Sequence, residues 1–328
     1  MKLLKKVISF TLCAGLMLPL CACAGTAPNG KTDAPEASTQ ETVDPNAPLS
    51  DGKTLKLLAI TSSFGLNTTQ LLYDVAIAEG CTDVVVGRLY GSGCTLQKHV
   101  ENLQTNAAYY QYTKIDSGSW NTIESASMEY GLKDEDWDII FIQQSAAKAG
   151  IAESYGDYID QLMEYVQKNK TNPNARFVWN MTWAYQGDSD QAVFTSNFKS
   201  DQKYMYETIV DVTQEKVVPR TDFDRIIPTG TVIQNARTSA FGDNLCKDTY
   251  HLNNYGGILA AYGLYAVLTG QELTEIHLDA VAASANGIGG ADKILTPLTE
   301  NQKAIIIESV NNAIKTPFAV TPSAYTEG

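Results

Sequence analysis

The sequence predicts an α/β fold in which helices cover both faces of a central, mostly parallel sheet of five strands. Short β-branched runs alternate with longer stretches of helical period, which is typical of parallel strands joined by crossover helices. Hydrophobic residues make up 44% and charged residues 19% of the 328 residues, so a sizeable core is available and a wholly disordered chain is excluded. No internal repeat or second shift in composition divides residues 54–328. We therefore predict one domain over that range.

Each predicted strand is a short run rich in Ile, Val, Leu or Phe, as expected of strands buried on both faces. The runs are Leu55–Ile60, Asp83–Gly87, Asp138–Ile142, Arg176–Asn180 and Arg225–Pro228. The predicted helices are Thr68–Glu79, Leu96–Gln104, Tyr155–Lys168, Gln191–Gln214, Tyr255–Leu268 and Glu300–Ile314. Ligands of such folds bind at the carboxyl ends of the strands, so the residues that follow each strand are the first place to look for chemistry.

Residues 1–22 are typical of a signal peptide. A basic start precedes an apolar run that is too short to be a stable membrane span. The run ends in Leu20-Cys21-Ala22-Cys23, which resembles the bacterial lipobox, in which the final Cys is lipidated and becomes the new N-terminus. We therefore expect Cys23 to carry the anchor of a protein on the outer face of a bacterial cell membrane. The alternative is an ordinary cleavage site beside an incidental Cys23.

Residues 23–53 are rich in Ala, Thr, Pro, Asp and Glu and predict a flexible tether. The leader carries three lysines and no acid, so its removal changes the net charge from −13 to −16. This charge disfavours nucleic acid as a partner. The predicted domain keeps Cys81, Cys94 and Cys246. An odd number argues against a disulfide framework but leaves one pair open.

The first predicted strand, LKLLAI, is followed by Thr61-Ser62-Ser63-Phe64 and then a helical stretch. Ser62 or Ser63 therefore lies on a tight turn from strand to helix, where the helix N-terminus favours developing negative charge. A serine in this position is more often a cap or turn residue than a nucleophile. The turn is therefore a candidate only in combination with a base.

The segment Asp248-Thr249-Tyr250-His251 supplies such a base. An Asp three residues before a His allows one loop to present both side chains, with the imidazole as general base and the carboxylate holding its tautomer. The alternative is a helix-entry cap beside a surface His. Of the other histidines, His277 has no acid at the same offset, and we expect His99 to be a helix-surface or loop residue near the pocket.

Several segments, in order, resemble the SGNH/GDSL hydrolase superfamily, in particular its branch of bacterial secreted and lipid-anchored proteins. The segments are LLAITSSF, YGSGCTLQKH, DWDIIFIQQS, WNMTWAYQ, IIPTGTVIQNARTS and DTYHLN. The resemblance covers nearly all of the chain after the tether. It implies a three-layer, flavodoxin-like α/β/α sandwich and ester hydrolysis through the triad Ser63, Asp248 and His251.

Two positions differ from the usual motifs of that superfamily. Thr61-Ser62-Ser63 stands where Gly-Asp-Ser or Gly-Asn-Ser is common, and Gln143-Gln144-Ser145 replaces Gly-x-Asn-Asp. A glutamine amide is able to donate to an oxyanion as asparagine does. We therefore expect the oxyanion hole to consist of the Ser63 and Gly93 amides with the side chain of Gln144, slightly ahead of Gln143.

Asn180, Trp183 and Tyr185 follow the fourth predicted strand and are expected at the rim of the same site, where aromatic rings stack on sugars. The alternative for these rings is core packing. The resemblance implies a serine esterase that deacetylates an O-acetylated carbohydrate. The competing hypothesis is an SGNH-fold lipoprotein that has lost catalysis and binds glycan or acts as an adhesin.

No metal or cofactor is predicted. Leu96 stands where a dinucleotide-binding motif that starts at Gly91 needs its third glycine, and no pair of His or Cys has zinc-ligand spacing. The predicted partners are the acylated substrate and, through the lipid alone, the membrane.

Overall fold

The computed structural model of the chain describes residues 47–278 and 297–327. The predicted signal peptide over 1–22, Cys23 and the tether up to residue 46 lie outside the described residues. Within the described ranges, no helix is both long and apolar enough to cross a membrane.

One sheet forms the centre of the described residues, and its strands lie in the order β4-β3-β2-β1-β5-β6-β7. The strands are β1 (Thr54–Thr61), β2 (Asp83–Tyr90), β3 (Tyr110–Ile115), β4 (Trp120–Ala126), β5 (Ile139–Ile142), β6 (Arg176–Asn180) and β7 (Arg225–Ile227). All pairs among β2, β1, β5, β6 and β7 are parallel, and β3 and β4 extend the sheet as antiparallel strands. The prediction of a mostly parallel sheet is confirmed.

The predicted number of five strands is wrong, because the sheet described here has seven. The five predicted strands are its parallel part, and the two missed strands form the hairpin β3–β4. All five central residues of β4 are exposed, so no buried apolar run marks it. The hairpin does have a signal in the turn sequence Asp116-Ser117-Gly118-Ser119, in which Gly118 has φ +85°.

Helices cover both faces of the sheet and complete three layers, as predicted. They are α1 (Ser63–Thr69), α2 (Leu72–Ala78), α3 (Leu96–Leu103), α4 (Met128–Lys133), α5 (Tyr158–Asn169), α6 (Ala192–Phe198), α7 (Gln202–Lys216), α8 (Thr229–Arg237), α9 (Asn254–Thr269) and α10 (Glu300–Lys315). Helices α3, α4 and α5 bury their apolar residues on one face of the sheet, and α1, α2, α8 and α9 bury theirs on the other.

Two predicted helices are each divided in the structure. The segment Thr68–Glu79 belongs to α1 and α2, which Gln70 and Leu71 separate. The segment Gln191–Gln214 belongs to α6 and α7, and the break falls at Lys199 and Ser200, which have φ +58° and +52°. Left-handed residues end a helix, but neither residue type marks such a conformation in a sequence. Helices α4 and α8 were not predicted.

The predicted tether ends later than the structure allows. Residues 47–53 belong to the folded unit, because the amides of Leu49 and Ser50 donate to the carbonyl of Leu268. The Arg225 guanidinium donates to the Ala47 carbonyl at 2.8 Å.

The sheet has a topological switch point at its carboxyl edge, between β1 and β5. The connection from β1 to β2 runs through α1 and α2 on one face, and the connection from β5 to β6 runs through α5 on the other. Ligands of doubly wound folds bind at such a switch point. Ser62 and Ser63 follow β1, and Gln143 and Gln144 follow β5.

Candidate active site

The two serines that follow β1 differ in what their hydroxyls contact. Ser62 is 2% exposed, and its Oγ accepts a hydrogen bond from Gln143 Nε2 at 3.2 Å. Ser63 is the first residue of α1 and is partly exposed, and its hydroxyl makes no hydrogen bond with the described residues. The first amides of a helix have no partner within the helix and favour negative charge. Of the two serines, Ser63 therefore has the available hydroxyl.

Thr61 fits into the turn because residue 65 is glycine. A Cβ atom at Gly65 would lie 1.8 Å from Thr61 Oγ1 and 2.7 Å from Thr61 Cβ. The threonine side chain thus fills the space that any larger residue at position 65 would need. Thr61 is fully buried and its hydroxyl donates to the Ser62 carbonyl at 3.0 Å. Gly65 and Thr61 therefore fit together within the same turn.

Asp248 and His251 form the pair that their spacing predicts. Asp248 Oδ2 lies 2.7 Å from His251 Nδ1, and Asp248 Oδ1 accepts from the His251 amide at 2.7 Å. Partial burial acts to raise the pKa of Asp248, but the hydrogen bonds from the ring and amide of His251 outweigh it and lower this pKa. The ionised carboxylate holds the proton on Nδ1, which leaves the lone pair of neutral His251 on Nε2. Nε2 is buried and has no partner among the described residues.

The loop that carries this pair is held in a strained conformation. Thr249 has φ +71°, which is unfavourable for a β-branched residue and costs on the order of 1–3 kcal/mol. Hydrogen bonds from Gln186 N to the Thr249 carbonyl, at 2.7 Å, and from Thr249 Oγ1 to Ser189 Oγ, at 3.0 Å, hold it there. This conformation allows one carboxylate to accept from both the backbone and the ring of His251.

Helix α1 and the histidine loop are in direct contact. The ring of Phe64 meets the ring of His251 edge-on, with 5.7 Å between centroids. The amide of Leu252 donates to Asn67 Oδ1 at 3.2 Å. The structure therefore brings Ser63 and His251 onto adjoining elements, although no hydrogen bond joins their side chains. Such bonds are often long without substrate.

The expected order of the two glutamines is wrong. Both amide hydrogens of Gln144 are directed at Ser154, with Nε2 at 3.1 Å from its carbonyl and from its hydroxyl. Its Oε1 accepts from the amides of Leu96 and Ser145, so Gln144 fixes the start of α3. Gln143 points instead to the turn at Thr61–Ser63, where its Nε2 donates to Ser62 Oγ. The candidate oxyanion donor is therefore Gln143.

The glycine-containing loop after β2 lies beside the same turn. The amide of Gly91 donates to the Thr61 carbonyl at 3.0 Å. Gly93 is exposed and has φ +57°, a conformation that favours glycine. The amides of Ser63 and Gly93 donate no hydrogen bond within the described part of the chain, which leaves both of them available.

The predicted aromatic rim is wrong, because Asn180, Trp183 and Tyr185 are 1%, 0% and 5% exposed. Trp183 packs under α1 and stacks on Phe64, with 4.1 Å between ring centroids and 6° between planes. The aromatic residue that sequence reasoning missed is Tyr250, which is partly exposed and lies 4.1 Å from the His251 ring. Its place directly before the predicted base was the available signal.

Neither of the other histidines is a candidate base. His99, expected near the surface, is fully buried on α3 with Nδ1 2.9 Å from the Tyr110 hydroxyl, and burial lowers its pKa to about 3. His277 lies 2.8 Å from Glu79 on a different part of the molecule.

The cysteines Cys81, Cys94 and Cys246 are all free. Burial raises the pKa of Cys94 and of Cys246 to about 12, so neither is a thiolate nucleophile at neutral pH. Across the described ranges, no group of three or more His, Cys, Asp or Glu side chains is placed to hold a metal ion.

Comparison with known proteins assigns the family. The family model described as a domain of unknown function, DUF4886, matches residues 56–285. The chain belongs to the DUF4886 family. A crystal structure of a DUF4886 protein from Bacteroides uniformis is 30% identical, with a TM-score of 0.71 over 82% of this chain and 98% of that chain. No curated protein matches this DUF4886 chain.

Two more distant structures are similar to this DUF4886 protein. A proposed SGNH hydrolase from Slackia heliotrinireducens is 16% identical, with a TM-score of 0.42 over 66% of this chain and 100% of that chain. A family 3 carbohydrate esterase from Clostridium thermocellum is 12% identical, with a TM-score of 0.38 over 65% and 95%. Both similarities are too low to assign an activity.

Replacing Gly65 with alanine tests the fit between positions 61 and 65. The new Cβ would overlap Thr61 Oγ1, so we expect Gly65→Ala to lower the free energy of unfolding by about 3 kcal/mol, measured by urea denaturation. Thr61→Gly in the same chain should recover most of this loss. The control is Gly257→Ala on α9, where the nearest atom lies 3.5 Å away. Equal losses at positions 65 and 257, or no recovery by Thr61→Gly, would contradict this account of the turn.

Proposed function

We propose that this protein is a serine ester hydrolase of the SGNH type, with Ser63 as nucleophile, His251 as general base and Asp248 as the residue that orients the base. The observation that carries the proposal is the Asp248–His251 pair, whose Nε2 has no partner among the described residues and lies beside the helix that begins at Ser63. The order of the sequence segments supports the same assignment.

The proposed reaction has two halves. His251 Nε2 takes the proton of Ser63 as Oγ attacks the ester carbonyl, and the proton then passes to the leaving alcohol as the carbon–oxygen bond breaks. Water attacks the acyl-enzyme in the same way, and Ser63 is restored as the carboxylic acid leaves. The amides of Ser63 and Gly93 and the side chain of Gln143 would stabilise the oxyanion in each half.

The competing hypothesis of an inactive glycan-binding lipoprotein depends on the altered turn at Thr61-Ser62-Ser63. That dependence is weakened because Gly65 leaves room for Thr61 and because Ser63 keeps an available hydroxyl at the start of α1. We therefore favour the enzyme, and the assay below decides between the two.

We propose an O-acetylated carbohydrate as the substrate, with Tyr250 as the ring that contacts the sugar. Tyr250 is partly exposed and adjoins His251, and its pKa is raised first by burial and then by the negative charges of Asp248 and Asp190. Aromatic faces beside carboxylates suit neutral ligands with many hydroxyl groups, because the face stacks on C–H groups and the acids accept from hydroxyls.

Substitution of each serine separately tests the proposed nucleophile. We expect Ser63→Ala and His251→Ala to lower kcat/KM for p-nitrophenyl acetate by at least about 10³-fold, whereas Ser62→Ala, the matched control, should lower it by less than about tenfold. Acetate release from acetylated glycans should follow the same order. Full activity in Ser63→Ala, or absence of turnover by the unchanged protein on every ester tried, would overturn the assignment.

Substitution of Tyr250 tests the proposed contact with sugar. We expect Tyr250→Ala to raise KM for an acetylated oligosaccharide about tenfold, equivalent to about 1.4 kcal/mol, because the stacking face is lost. KM for p-nitrophenyl acetate should change less than threefold, and Tyr250→Phe, which keeps the ring, should bind the oligosaccharide normally. An equal change for both substrates would contradict a sugar contact.

We also propose that Cys23 is lipidated and holds the protein on the outer face of a bacterial cell membrane. The support is the sequence Leu20-Cys21-Ala22-Cys23 at the end of an apolar run. We expect Cys23→Ser to move the protein from the membrane fraction to the medium, measured by immunoblotting of both fractions. Cys21→Ser is the control and should leave the protein in the membrane. Membrane retention of Cys23→Ser would contradict the proposed anchor.

A further inference from the structure

A chain of buried side-chain hydrogen bonds runs from α8 to the nucleophile turn. Thr229 Oγ1 donates to Asn180 Oδ1 at 2.6 Å, Asn180 Nδ2 donates to Gln143 Oε1 at 3.0 Å, and Gln143 Nε2 donates to Ser62 Oγ at 3.2 Å. All four side chains are at most 2% exposed. Buried polar groups without partners lower stability, so each donor in this series of hydrogen bonds must face an acceptor.

One hydrogen bond outside this series determines which way the amide groups in it face. The hydroxyl of Thr68 donates to the Phe64 carbonyl one turn earlier in α1, at 3.2 Å. Its hydrogen is thereby used, so Thr68 presents a lone pair to Asn180, whose Nδ2 lies 3.4 Å away. Asn180 must therefore place its NH₂ group on the side of Thr68 and Gln143 and its oxygen toward Thr229, which has a hydroxyl hydrogen to donate.

The orientation of Gln143 follows from that of Asn180. Its Oε1 accepts from Asn180, so its Nε2 faces Ser62 and the start of α1. One hydrogen of Nε2 is used by Ser62, and the other has no acceptor within the described residues. The reversed amide has the same shape, so packing alone does not exclude it. A reversed amide would direct a carbonyl oxygen at the oxyanion and repel it.

We infer that Asn180 is a positioning residue for ester hydrolysis: together with Thr68 and Thr229, it fixes the Gln143 amide with its N–H toward the developing oxyanion. The inference rests on the proposed function and extends it to a residue that touches neither substrate nor nucleophile. The proposed effect of Asn180 on the oxyanion passes through Gln143, so removal of the Gln143 amide separates it from the structural contacts of Asn180 with Thr68 and Thr229.

Asn180→Asp is the substitution that tests this inference. The introduced aspartate is isosteric, but its ionised carboxylate only accepts, so Gln143 would turn to donate to it and present Oε1 to the oxyanion. We expect kcat for p-nitrophenyl acetate to fall about 10- to 100-fold, with KM within about threefold, because the loss is confined to the transition state. Once protonated, the introduced carboxyl group is able to donate as asparagine does. The ratio of variant to unchanged protein should therefore improve at low pH.

A double-substitution cycle separates positioning from structural damage. Gln143→Leu alone should lower kcat by about 10²- to 10³-fold, and adding Asn180→Asp to it should cost less than about threefold more. A loss by Asn180→Asp that is as large in the Gln143→Leu variant as in the unchanged protein would overturn the inference. An Asn180→Asp protein with unchanged kcat and a flat pH ratio would overturn it too.

Two controls keep the test decisive. Asn235→Asp buries a carboxylate at a site whose amide bonds the Ser309 carbonyl on α10, and it should lower the thermal midpoint without changing kcat. If Asn180→Asp does not fold, Thr229→Val should lower kcat several-fold and Thr229→Ser should restore it. Equal kcat in these two variants would overturn the inference. Absence of turnover by the unchanged protein overturns the proposed function as well, whereas turnover with additive losses overturns this inference alone.

Discussion

The stacking of Phe64 on Trp183 is the contact on which the rest of the site depends. A seven-residue helix such as α1 is not stable in isolation, so its position is set by what it packs against. Trp183 is fully buried and lies nearly parallel to the Phe64 ring. Its Nε1 also donates to the Tyr250 carbonyl at 2.8 Å. One indole therefore fixes both the helix that begins at Ser63 and the loop that carries His251.

Hydrogen bonds beneath the same helix orient the amide side chains, which ring stacking does not do. Apolar packing sets where α1 lies, but hydrogen bonds decide which end of an amide faces the turn. The carboxyl edge of β5 illustrates the division of roles. Its side chains alternate between faces, so Gln143 lies under α1 and Gln144 lies on the opposite face beside α3. Two identical neighbours therefore have different hydrogen-bond partners.

The sequence was sufficient for the features that depend on spacing or on the end of a strand. The three-residue offset between Asp248 and His251 predicts that one loop presents both side chains, and Ser63 follows the first buried strand with one residue between them. The sequence was insufficient for features that depend on which face of the sheet a side chain occupies. No sequence pattern states which face of the sheet a residue just past a strand occupies, so the sequence does not distinguish Gln143 from Gln144 or show that Trp183 is buried. The hairpin was missed because β4 packs too little to show an apolar run.

The direction of β1 determines where the proposed site lies relative to the residues at which the described chain begins. The chain enters the domain at the amino edge of the sheet, where Leu49 and Ser50 bond the end of α9, and the proposed site lies beyond the other end of β1. Eight residues of strand span about 26 Å. Residue 47, at which the described chain begins, and Ser63 therefore lie at opposite ends of β1. A group joined to the chain ahead of residue 47 enters the fold at the end of β1 that is remote from Ser63.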